Sequence, residues 1–223
     1  MTPTAAITPQ ASLADLATTH AGASRVFHLY GLDFCCHGQE PLAAACARKG
    51  LDPAVLVAEI EREIAPAFER WDERPLGALI EHVRAHYHAA HRAELPRLIA
   101  MATKVEQVHA DKPTCPRKLA ATLERIQGEL EDHMQKEEQV LFPLVQSGRG
   151  HMAAMPVQVL ETEHRDHARN LERLRTLTDG YVPPAEACNT WRALYLGLAE
   201  LERDLMQHIH LENNVLFPRA LRG

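Results

Sequence analysis

The segment His133-Met-Gln-Lys-Glu137-Glu-Gln-Val-Leu-Phe-Pro143 recurs as His208-Ile-His-Leu-Glu212-Asn-Asn-Val-Leu-Phe-Pro218. Positions i and i+4 of a helix share one face, so each His points the same way as its Glu. Two further pairs, His88-Ala-Ala-His91 and His164-Arg-Asp-His167, precede these segments at matching intervals. Imidazoles and carboxylates are the donors that first-row transition metals take. One H-x-x-x-E helix alone is weak evidence for a metal. Two of them, each paired with an H-x-x-H segment, form a plan repeated within one chain.

Four long helical patterns position these donors, over about 75–109, 116–145, 155–178 and 184–220. The breaks between them are rich in turn formers: Asp111-Lys-Pro-Thr-Cys-Pro116, Gly148-Arg-Gly150 and Asp179-Gly-Tyr-Val-Pro-Pro184. Short connections between long helices make antiparallel neighbours, hence an up-down four-helix bundle. The second pattern places Leu119, Leu123, Ile126, Leu130, His133, Glu137, Val140 and Leu144 on one stripe, and the fourth does so with Leu194, Leu198, Leu201, Leu205, His208, Glu212 and Val215. Each stripe is apolar until a His and a Glu interrupt it. His133 and His208 each lie ~15 Å along the axis from the Pro of their motif. His88 and His164 fall at a similar height, so donors from all four helices share one layer.

Carboxylates and imidazoles in an apolar seam are costly unless something compensates them, by several kcal/mol per charge. Mutual His–Glu ion pairing is one compensation; bound cations account better for donors meeting at one height. Two carboxylates able to bridge, with about four imidazoles, suit two first-row ions sharing a site and leave positions open for a small ligand. The spacing leaves open whether His88 or His91, and His164 or His167, is the ligand. No Cys falls in this layer, which excludes a Cys-type structural zinc site. Haem would leave both glutamates unexplained.

The rest of the composition is that of an ordinary folded protein. Of 223 residues, 46% are hydrophobic, 24% charged and 5% aromatic, which favours packed helices and excludes wholesale disorder. The net charge of −6, without a Lys/Arg cluster, argues against a nucleic-acid partner. Fourteen His is the outlier. No stretch approaches the ~20 apolar residues of a membrane span. Neither a basic start nor an apolar core marks the N-terminus as a secretory signal. With five Cys, the expectation is free thiols in the cytoplasm.

Residues 1–70 read as a small module of short helices, and 75–223 as the bundle. Ser12 is expected to cap one helix of the module, Asp52-Pro53 opens another, and Gly31 and Gly50 end two. Between them lies Leu32-Asp33-Phe34-Cys35-Cys36-His37-Gly38. Cys35 and Cys36 are the reactive thiols of this reading, able to handle iron, nitric oxide or electrons. Adjacent Cys form a strained disulfide ring. Glu163 and Glu129, near His164 and His133, are expected to orient ligands or relay protons. Tyr87 is expected in the core. Cys46, Cys115 and Cys188 read as ordinary small residues, and His20, His28, His82, His109 and His151 as facing solvent.

The H-x-x-x-E helices ending in Leu-Phe-Pro resemble the haemerythrin-like di-iron bundle. Asp33-Phe34-Cys35-Cys36, with Gly38 and Leu42, resembles the Cys-pair (ScdA-like) module of the RIC (repair of iron centres) family. The tracts Ala102-Thr-Lys-Val-Glu-Gln-Val-His-Ala-Asp-Lys-Pro113 and His210–Leu221 are similar to that family as well, so the likeness covers nearly the whole chain. It implies an all-α, non-haem di-iron protein of the bacterial cytoplasm, linked to repair of iron–sulfur clusters after nitrosative or oxidative stress. By the family's pattern the iron ligands are His88, His133, Glu137, His164, His208 and Glu212, with both glutamates bridging two iron ions through an oxo- or hydroxo-bridged centre. Damaged iron–sulfur proteins and nitric oxide or dioxygen are the implied partners. Iron donation and nitric oxide reduction are both compatible with the resemblance. The alternative is a reversible dioxygen or nitric oxide carrier or sensor. His37 departs from the Cys-Cys-Gly-Gly stretch usual in the family. A homodimer, one chain's thiols near the other's irons, is a further expectation.

Overall fold

The computed structural model describes residues 7–63 and 69–222. Parts of both expected segments, at 1–6, 64–68 and 223, lie outside the described residues. Among the described residues there is no strand, only an isolated bridge between Ser12 and Pro41.

Four short helices build the N-terminal module: α1 (Leu13–Thr19), α2 (Ala23–Leu29), α3 (Leu42–Lys49) and α4 (Pro53–Arg62). The Asp15 N–H donates to Ser12 Oγ at 3.0 Å and the Ala54 N–H to Asp52 Oδ1 at 2.9 Å, satisfying donors that an isolated helix leaves bare. Gly50 ends α3 in the left-handed region (φ 67°), where a Cβ is penalised. None of these helices is long enough to be stable alone. They hold together through a shared apolar centre of Leu13, Phe27, Phe34, Leu42, Leu56 and Ile60.

Four rods form the bundle. The first is α5 (Leu76–His82), a π turn (Val83–His88) and α6 (Ala89–Val108); the second is α7 (Leu119–Lys136), a π turn (Glu137–Leu141) and α8 (Phe142–Gln146). The third is α9 (Ala154–Leu177). The fourth is α10 (Asn189–Leu211), a π turn (Glu212–Leu216) and α11 (Phe217–Arg222). The first and third rods each pack against the second and fourth, as up-down connectivity requires. The second rod begins three residues later than its sequence pattern, because Lys118 turns left-handed (φ 71°) just before it. The fourth begins at Asn189 rather than 184. Pro183-Pro184 favours extended backbone before it, and Cys188 takes the extended N-cap conformation. No helix among the described residues is long and apolar enough to cross a membrane.

The bundle core is split in two. One part gathers Leu98, Leu123, Leu130, Trp191, Leu198 and Leu205; the other gathers Leu79, Val83, Phe142, Leu160, Leu216 and Phe217. Between them runs a slab of wholly buried His and Glu. Val140 departs from its expected place on the inner stripe, since it is exposed. The buried face here passes to Leu141, Phe142 and Val145, whereas Val215, at the same place in the matching π turn, stays buried. Met206 packs against both the bundle core and the module core, joining the two.

Candidate metal centre

Three π turns sit where ligands were expected. Two start at Glu137 and Glu212; the third ends at His88. Proline has no N–H for the α-helical ladder, so the Leu-Phe-Pro motif disturbs the backbone just past each glutamate. The Phe142 N–H donates to Glu137 O and the Phe217 N–H to Glu212 O, each the i to i−5 bond of a π turn.

The slab converges on two donor sets, His88, Glu137, His208 and Glu212 in one, His133, Glu137, His164 and Glu212 in the other. Both carboxylates belong to both sets, and all six side chains are buried. Each set draws one His from each hairpin. His88 Nε2 lies 3.3 Å and His133 Nε2 3.5 Å from Glu137 Oε2. Glu212 lies 3.2 Å from His164 Nε2 and 3.0 Å from His208 Nε2.

Outer contacts fix which ring nitrogens carry protons. His88 Nδ1 faces Glu138 Oε1 at 2.7 Å, His133 Nδ1 faces Glu163 Oε2 at 3.0 Å and His164 Nδ1 faces Asn213 Oδ1 at 2.7 Å. Asn213 gives its Nδ2 to Cys35 O at 3.2 Å, which leaves Oδ1 as the atom facing His164. All three Nδ1 atoms therefore donate, and in the neutral ring Nε2 keeps a lone pair. Burial holds His88 and His133 down at about 4, so both are neutral near pH 7. The Nε2 atoms of His133 and His164 face each other at 3.1 Å. The lone pair of His88 faces a carboxylate oxygen. Neither oxygen of Glu137 nor Oε2 of Glu212 has a hydrogen-bonding partner among the described residues. Acceptors pointed at acceptors in a buried slab call for positive charge between them, and this donor set fits cations of the first transition row.

The carboxylates respond in opposite directions. Burial and the facing Glu212 push Glu137 well above the usual carboxylate range. Burial also opposes charge on Glu212, but His208 and His164 outweigh it and hold that group well below. The two carboxyls therefore titrate as one coupled pair. Cation binding would require both to be deprotonated.

Of the remaining sequence candidates, Glu163 is in place behind His133, which together with Lys136 holds it down at about 2. Glu129 touches no ligand; it accepts from Asn170 Nδ2 at 2.6 Å. Both acids line an open groove of about 410 Å³ with Asp132, Lys136, Asp166 and His167. Tyr87 is buried and lies parallel to His208 at 5.3 Å between ring centroids. His91 and His167 are buried but join neither donor set.

The Cys loop docks directly on this slab. Cys36 Sγ lies 3.7 Å from His164 O, and Asn214 Nδ2 donates to Cys35 O at 3.1 Å. Asp33 Oδ1 accepts from the Cys35 and Cys36 N–H groups and from Cys35 Sγ, while its Oδ2 pairs with His37 at 2.7 Å. Cys36 and burial hold the Cys35 thiol well above its ordinary range. Cys36 is the more accessible of the two.

Sequence reasoning missed Glu138, Asn213 and His210. The first two immediately follow the repeated glutamates, a position where a polar side chain reaches the neighbouring rod. His20, His28, His82 and His109, expected to face solvent, are half-buried. His28 Nε2 lies 3.4 Å from the buried Glu202. His109 Nε2 lies 3.3 Å from Cys188 Sγ and lowers that thiol, so Cys188 is more than a small packing residue.

Comparison with known proteins agrees with this architecture. Residues 78–220 match the hemerythrin HHE cation binding domain, and 9–63 match a domain of unknown function named ScdA_N. The chain is 50% identical to the iron-sulfur cluster repair protein YtfE of Musicola paradisiaca, over 95% of this chain and 96% of that one. It is 48% identical to the protein of the same name from Escherichia coli O157:H7, over 95% and 96%. The corresponding figures for Pectobacterium atrosepticum are 50%, 95% and 97%. The chain belongs to the hemerythrin HHE cation-binding family and, within it, to the group of its YtfE relatives.

Proposed function

We propose that this chain is a non-haem di-iron protein that restores iron–sulfur clusters damaged by nitrosative and oxidative stress. The observation that carries the reading is the pair of facing Nε2 atoms of His133 and His164, beside two carboxylates shared between both donor sets. Its relatives, named as iron-sulfur cluster repair proteins, support the role. His88, His133, His164 and His208 would each hold one iron, and Glu137 and Glu212 would bridge the two. Iron bound there supplies one-electron chemistry and open positions for a small ligand.

The chain's own residues favour iron donation as the route of repair. Glu163 and Lys136 stand where the groove meets His133, with Glu129, Asp132 and Asp166 further along it. Carboxylates spaced along an open groove give a departing cation successive oxygen partners. Cys36, against the His164 backbone, offers a thiol beside a member of the same donor set.

The test is reactivation of an oxidatively damaged [4Fe–4S] dehydratase by the iron-loaded protein under anaerobic conditions. Recovery of dehydratase activity with matching loss of iron from the chain is the expected result. Recovery no better than with free ferrous salt removes the donation reading. Nitric oxide added to the reduced protein, with nitrous oxide measured in the headspace, tests the reductase reading separately. A carrier or sensor would leave the dehydratase inactive in the first assay.

A further inference from the structure

Two buried imidazoles take no part in the donor sets. His91 (1% exposed) and His167 (2%) lie one turn beyond His88 and His164 on the parallel first and third rods. Their rings approach the centre from there, His91 at 5.4 Å from His208 and His167 at 5.0 Å from His133, centroid to centroid. Neither nitrogen of His167, nor Nε2 of His91, has a hydrogen-bonding partner among the described residues. Buried side-chain nitrogens are normally partnered, so two neighbouring exceptions need a reason.

Their position supplies one. Glu137 and Glu212 follow His133 and His208 by one turn on rods that run the opposite way. The carboxylates therefore meet the converging imidazoles from one side, and His91 and His167 stand on the other. Leu95 and Leu171, one turn further along their rods, and Leu130 and Leu205, one turn before His133 and His208, are all buried and line the core around them. His167 is also part of the groove wall. Apolar side chains would have filled this layer more cheaply than two unpartnered imidazoles.

We propose that His91 and His167 are positioning residues for an exogenous ligand of the centre, donating N–H bonds to a small electron-rich molecule of the azide or nitric oxide class. The inference rests on the di-iron reading above. It adds a recognition wall made by side chains that hold no metal, with His167 set where the groove meets the centre. A hydrogen bond to a charged or strongly polarised ligand atom is among the stronger kinds, and in a dry layer it sharpens affinity.

The experiment uses the full-length, iron-loaded protein titrated with azide, followed by its charge-transfer absorption, alongside iron analysis of each variant. His91→Leu and His167→Leu are expected to keep the wild-type iron content and to raise the azide Kd about tenfold each, which is about 1.4 kcal/mol. His167→Gln keeps an N–H donor and is expected to recover part of the loss. In the wild type, the antisymmetric stretch of bound azide should shift on exchange into D2O. Unchanged azide affinity in both Leu variants overturns the proposal, as does a wild-type stretch insensitive to D2O. Loss of iron in either Leu variant overturns it too, by making that His a ligand. Wild-type protein that binds no iron overturns the centre itself together with this inference.

Discussion

The two helical hairpins carry the same donors in the same order, yet their outer contacts differ. In the first, both imidazoles are backed by carboxylates: His88 by Glu138 and His133 by Glu163. Glu138 is itself held by Arg92, which also pairs with Glu131. In the second, His164 is backed by the neutral amide of Asn213, and His208 Nδ1 has no partner among the described residues. A carboxylate behind an imidazole makes it a stronger donor than an amide does. Because each set takes one His from each hairpin, each would-be iron has one strong and one weaker imidazole. The asymmetry distinguishes the surroundings instead. The set of His133 and His164 abuts the Cys loop and the groove, while that of His88 and His208 is closed off by Tyr87 and Phe142.

The largest effect should come from removing what the hairpins share. The double variant Glu137→Ala, Glu212→Ala is expected to lose nearly all bound iron, read by metal analysis of purified protein. Retention of full iron would show that the carboxylates do not bridge. Next comes the contrast between backings. Glu138→Gln should weaken iron binding roughly 10- to 100-fold, as loss of such outer partners commonly does. Asn213→Ala should cost less affinity but should speed alkylation of Cys36, because it removes one of the two amides that hold the Cys35 carbonyl. Equal effects on both readouts would erase the distinction drawn here.

A smaller effect tests the docking of the module. A Cβ on Gly38 would stand 2.6 Å from Phe34 O and 2.8 Å from Ala14 Cβ. Gly38→Ala should therefore destabilise the docked loop by about 1–3 kcal/mol, the usual range for overpacking. Thermal unfolding in parallel with Cys36 reactivity measures it. The smallest effect concerns pH. Burial opposes the charge of Glu202, but His28, Arg175 and Tyr181 hold its carboxyl below the ordinary range. A carboxyl depressed on folding contributes stability that is complete above its unfolded value of 4.5 and fades as pH falls through the folded value. Acidification below about 4.5 should therefore weaken this joint between module and bundle. Glu202→Gln should flatten the dependence, with stability compared by denaturant unfolding at two pH values.

Much of this was legible in the residue order because the relevant signals are local. Ser12, Asp52 and Gly50 mark helix ends through contacts within a few residues. The i, i+4 spacing of His133 with Glu137 survives any packing, and its repetition at His208 and Glu212 exposed the plan. Choosing His88 over His91 was a different matter, since both are buried and only the rotation of the rod separates them. Val140 is exposed although Val215, at the same place in the matching π turn, is buried, so the neighbouring elements and not the helical period decide it. His28 and His109 found partners in Glu202 and Cys188, residues far away in sequence, and no spacing rule reaches that far.

The two matching π turns carry a consequence for how this chain tolerates length changes. Each wide turn holds one residue more than an ordinary turn while sweeping about the same arc, so deleting one residue from 138–141 would restore an ordinary helical ladder and leave the rod downstream facing as before. Phe142 would keep the floor of the slab, and Gly150, which has no room for even a methyl group against Ala220, would keep its seat. The extra residue in each half is thus absorbed within a single turn, a tolerance for insertion and deletion that substitution scanning alone would overlook.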